Sequence, residues 1–215
     1  KILPLEAQNL LLASLKSVEK VVDPHFHVIS VDQGNYFNPD LKQSRITFLC
    51  IARGAAGSTY FPERSTALAQ ERLSLYAKHF PKLEGGILPI HSARLTDGSI
   101  DWSKTASHLN NRTARETAKA FNNSTSKLYP AVSINPHDPK WEEKLLKAYN
   151  DGIRLVKWMP PQGIQPDAPA LDKFYETLAK YEIALIAHAG PEHAFPGANE
   201  WEDWGNPLRF RNALQ

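Results

Sequence analysis

The stretch Val21-Val22-Asp23-Pro24-His25-Phe26-His27-Val28 begins as an apolar strand and runs into two histidines one residue apart. Successive side chains of a strand point to opposite faces, so the spacing predicts Asp23, His25 and His27 on one face and Val22, Pro24, Phe26 and Val28 on the other. Two imidazoles on one face address one point. At the carboxyl end of a strand in a parallel sheet that point suits a metal ion, because neutral imidazole is a good ligand for zinc and its neighbours. In a chain with eight histidines a His-x-His pair also arises by chance, and two histidines on an edge strand are the plain alternative. The surrounding sequence has to decide between them.

Outward from this strand the chain alternates apolar runs with helical patterns. Gly85 to His91, Lys127 to Pro136, Ile153 to Trp158 and Ile183 to His188 read as further buried strands. Between them, helical spacing predicts helices from Pro62 to Phe80, Ser103 to Phe121, Trp141 to Asn150 and Leu171 to Tyr181. Asp151-Gly152 is a good helix stop, and Pro160-Pro161 ends the strand before it. Ser44 to Ala52 could be strand or buried helix and is read as helix. Strands alternating with helices in this way are the signature of βα units around a parallel sheet. No Gly-x-Gly-x-x-Gly and no Walker-type loop follows any strand, so nucleotide-binding versions of such a sheet lose support. His25, His27, His91, Lys157 and His188 all fall at predicted carboxyl ends, which is the active face of a (β/α)8 barrel.

Composition bounds the rest. A chain of 215 residues with 42% hydrophobic and 22% charged residues is that of a globular protein with one substantial core. The net charge of +2 is scattered, without a basic stripe, so no nucleic-acid partner is expected. Cys50 alone allows no internal disulfide and sits in an apolar run where a buried thiol is the default. No window reaches the roughly 18 apolar residues of a membrane span, so no membrane partner is expected either. The compartment is left open with the cytoplasm favoured, as is assembly into a homo-oligomer.

Two further strand ends carry chemistry. Ala184, Ile186 and His188 share a face, and a histidine closing an apolar strand needs a partner, which makes His188 a third metal-ligand candidate beside His25 and His27. Lys157 shares a face with Ile153 and Leu155, where an amine can grip a substrate carboxylate, form a metal-binding carbamate, or snorkel to the rim. Glu192 and His193 lie in a loop with Phe195, Trp201 and Trp204 that could line a substrate pocket. His91 and His137 are candidates for supporting or substrate contacts, while His79 and His108 fall on predicted helices and read as surface.

Asp23-Pro24-His25-Phe26-His27, Val156-Lys157-Trp158-Met159-Pro160-Pro161 and Ala187-His188-Ala189-Gly190 together resemble the amidohydrolase superfamily, closest to its amidohydrolase-2 branch. Tyr129 to Pro136 and Gly205 to Arg211 resemble stretches of that branch as well, so the likeness runs over residues 21–215. The resemblance implies a distorted (β/α)8 TIM barrel. It implies a divalent metal, zinc by preference, held by His25, His27 and His188, with a water activated against an amide, ester or lactone of a small-molecule substrate. Lys157, Glu192, His193 and Arg209 are the substrate-binding candidates, and a decarboxylase would use the same metal with Lys157 or Arg154 and Arg209 near the leaving carboxylate. Only five of eight strands are found. The expectation is therefore a barrel truncated after the fifth strand, with residues 1–20 as a helical extension and 21–215 as a partial barrel domain. The aspartate that would act as general base is expected beyond Gln215, and an inactive fragment or interaction module stands as the third alternative.

Overall fold

The computed structural model describes residues 20–38, 62–79, 82–123, 125–190 and 201–214. The helices expected before residue 20 and over Ser44 to Ala52 lie outside these residues.

Five parallel strands follow one another in chain order. β1 (Val21–Phe26) pairs with β3 (Leu83–Ile87), which pairs with β5 (Lys127–Pro130). β6 (Leu155–Trp158) and β7 (Ala184–Ala187) form a separate parallel pair. Among the described residues the two sheets are stitched by one bridge between Val132 and Val156, where Val132 N–H donates to Leu155 O and Lys157 N–H donates to Val132 O. Pro130 closes β5, and with no N–H of its own it cannot extend the ladder. A short antiparallel pair, β2 (Tyr36–Phe37) with β4 (Ser107–His108), lies beside the loops that follow β1 and β3.

The barrel expectation is overturned. Among the described residues the strands form a three-stranded and a two-stranded parallel sheet, and no strand closes the run from β7 back to β1. A barrel needs every strand flanked on both sides, and ring closure at the tilt of this class takes eight strands. Local spacing predicts βα units without saying how many share one ring. The truncated-barrel description falls with it, and the fold is a small open α/β sheet.

The helices are α1 (Ser65–His79), α2 (Asn111–Phe121), α3 (Trp141–Asn150) and α4 (Asp172–Lys180). Helix α2 starts eight residues later than helical spacing suggests. Asn110 caps it, its side chain accepting from Thr113 N–H, and the chain before it is committed to β4. Asp32 caps α1 by accepting from Thr66 N–H, Thr66 Oγ1 and Ser65 Oγ. The larger core lies between β6, α3 and α4, around fully buried Trp158, Phe174, Leu145 and Ile164. A smaller one, Ile87, Leu128, Ala114 and Ala118 with Phe26 and Leu73 at its edge, packs α1 and α2 on β1, β3 and β5.

Candidate functional site

The register of β1 slips by one residue between Asp23 and Phe26, so that Pro24 and His25 form a bulge against β3. Strict alternation is lost there, yet the two histidines still meet. His25 Nε2 and His27 Nε2 are 2.8 Å apart, with the rings edge-to-face at a centroid distance of 4.8 Å. The Asp23 carboxylate accepts from His25 N–H at 3.0 Å and holds the backbone of the bulge.

Partner chemistry fixes the tautomers. His27 Nδ1 lies 2.6 Å from Leu88 O, and a carbonyl only accepts, so the proton of neutral His27 sits on Nδ1. Its Nε2 is then a lone pair, and the hydrogen between the two rings belongs to His25 Nε2. Both rings are held neutral. Burial pushes His27 down to about 3, helped by His25, Lys157 and His188 and opposed by the Leu88 bond. His25 is also lowered, by burial first and then by Lys157, with Asp23 opposing and His188 adding.

Lys157 and His188 both act electrostatically on the pair, each lowering the two rings further. Lys157 is fully buried on β6, with Ser133 Oγ donating to its carbonyl. His188 follows β7, its N–H donating to Trp158 O at 2.9 Å.

A divalent ion bonded to two imidazoles at ordinary zinc distances separates their nitrogens by about 3.3 Å. The observed 2.8 Å is a few tenths of an ångström short of that. His27 also shows the arrangement that metal-bound histidines favour, with the far ring nitrogen donating to a backbone carbonyl. In donor chemistry and spacing the pair fits such an ion, with His25 moving its proton to Nδ1. No group of three or more His, Cys, Asp or Glu side chains is gathered around one point among the described residues. The structure thus brings together two of the three expected ligands, His25 and His27, and does not gather His188 with them into one ligand group.

Other candidates fall elsewhere. Glu192 and His193 lie outside the described residues. Arg209 is held by the carboxylates of Asp167, at 2.6 Å, and Asp203. Arg154 stacks on the Tyr149 ring and donates to Tyr149 O. His91 is buried and structural, its Nδ1–H donating to Ser92 O and its Nε2 accepting from Met159 N–H. His137 is exposed in a turn.

His108, expected on a helix surface, lies instead in β4, half-buried, with Nδ1 3.0 Å from Ser92 Oγ. Gln162, not among the sequence candidates, has a buried side chain that accepts from the N–H groups of Ala106 and Ser107 and donates to Ser107 O and His91 O. The one available signal was position: Gln162 sits immediately behind the strand-ending Pro160-Pro161.

No protein family, no curated protein and no solved structure matches this chain.

Proposed function

We propose that the chain carries a divalent-metal site on His25 and His27, with His188 as third ligand, and that the site serves hydrolysis of an amide, ester or lactone. The reading is of the amidohydrolase type, with zinc the ion best suited to these donors. The observation that carries it is the approach of the two Nε2 atoms to 2.8 Å while Leu88 O anchors the far side of His27. A bound ion would supply Lewis acidity toward a water or a substrate carbonyl. The chain's own contributions are distinct from that. His27 is locked in one tautomer and one orientation, so one lone pair is aimed without further ordering. Lys157 is fully buried on β6, where its amine would suit an electron-rich group of a substrate.

Hydrolysis is favoured over decarboxylation by what holds the two arginines. Arg209 already has two carboxylates, and Arg154 lies against Tyr149, so neither is set to receive a leaving carboxylate. Metal analysis of the protein is the test. About one divalent ion per chain is expected, lost in the double variant His25→Ala/His27→Ala. Retention of the ion in that variant would overturn the site, and turnover of aromatic acids with carbon dioxide release would overturn the reaction.

A further inference from the structure

The bulge that brings His25 to His27 needs room on the neighbouring strand. Asp23 pairs with Gly85 and Phe26 with Ile87, so three steps along β1 match two along β3 and the surplus residue crowds β3 at Gly85-Gly86. A Cβ on Gly85 would run into Asp23 O and come within 2.6 Å of the Phe26 ring. A Cβ on Gly86 would meet Pro24 O at 2.7 Å. Real Cβ atoms do not make such contacts with backbone, and neither oxygen is the end of a flexible side chain that could move aside. Both glycines are buried in the strand interior, where the residue is otherwise a poor choice. On the other side of the bulge, the Asp23 carboxylate captures the N–H of His25 at 3.0 Å, a donor on the irregular part of the strand.

We propose that Gly85, Gly86 and Asp23 are positioning residues for the histidine pair: the side-chain-free strip of β3 admits the bulge, and the Asp23 carboxylate fixes the backbone at His25 so that its Nε2 faces that of His27. Geometry alone carries this for the pair, while its consequence for metal binding rests on the function proposed above. None of the three residues need touch an ion or a substrate.

The test reads the rings directly, without metal, by long-range nitrogen–proton correlation of the imidazoles. In the parent protein His27 is expected as the Nδ1–H tautomer and His25 with a slowly exchanging Nε2–H. Asp23→Ala should lose the slow proton of His25, while Asp23→Asn, which keeps an acceptor oxygen, should restore it. Gly86→Ala should lose it too, with thermal melting reporting whether the fold survives. The Asp23 pair keeps the test decisive if the glycine variant fails to fold. Zinc titration of the same proteins should show binding weakened about 10-fold to 100-fold in Asp23→Ala. An unchanged His25 proton in Asp23→Ala would overturn the positioning role, as would absence of the pair signature in the parent. A parent with the pair signature and no zinc binding would leave the positioning role standing and remove the metal reading.

Discussion

The two halves of the sheet are built differently. On β6 consecutive residues Val156, Lys157 and Trp158 are all buried, as expected of a parallel strand covered on both faces. On β1 and β5 one face is open, with Val22 64% and Tyr129 47% exposed. The aromatic layer of Trp158, Phe174, Trp141 and Tyr175 fills the first region, and Trp158 also donates its indole N–H to Ile134 O. Small residues, Ala114, Ala118, Gly85 and Gly86, line the second. Dense packing therefore lies around β6, α3 and α4, while β7 and β1 carry half-buried and exposed residues, and the histidine pair sits at the end of β1. A site that must admit a substrate belongs on the less fully packed element.

The largest expected effect breaks the packed half. Trp158→Ala removes a fully buried ring and a satisfied indole N–H, and should cost about 3–5 kcal/mol in denaturant unfolding. A loss below about 1 kcal/mol would show that this region is not the stability centre.

Next comes the stitch between the halves. His91 Nε2 accepts from Met159 N–H while its Nδ1–H donates to Ser92 O, and only the neutral ring can do both. Burial lowers His91 to about 4, with the bond to Ser92 O opposing, while the bond from Met159 N–H is made only by the neutral ring and favours that form. A depressed folded value means that the unfolded chain takes up the proton first as pH falls. The stability owed to neutral His91 is present above about pH 6.5 and lost on descending toward pH 4, amounting to roughly 3 kcal/mol. Unfolding free energies of the parent and His91→Gln at pH 7 and pH 4.5 measure it. The gap between the two proteins should narrow at the lower pH, and a constant gap would remove His91 as the titrating stitch.

The smallest effect sharpens the contrast from the open side. Val22→Thr, at a position already 64% exposed, should change stability by no more than about 0.5 kcal/mol. A loss above about 1 kcal/mol in the same denaturant experiment would mean that this face is covered in solution.

The repeating βα order was legible because helix and strand periodicities are written in consecutive residues. That His25 and His27 lie close together was legible for the same reason, since residues two apart on an extended chain are near neighbours, but the facing of their Nε2 atoms was not. The bulge between them was not, because it depends on two glycines about 60 residues away that have meaning only when β3 lies beside β1. His91 offered donors and acceptors that suited a site as well as a core, and its bond to Met159 decided for the core. His108 read as helical from the pattern around it and was claimed instead by a strand pairing with Tyr36.

The amino-acid sequence was enough for the parallel βα order, the lack of a glycine-rich nucleotide motif, and a His-x-His pair at the end of the first strand. The tertiary fold settled that the described strands form an open run and not a ring, that burial and the Leu88 carbonyl hold His27 neutral, and that Arg209 is occupied by acids. The division is physical. Periodicity and spacing act through bonds a few residues long, whereas closure and strand pairing are set by which distant surfaces find one another when water is excluded.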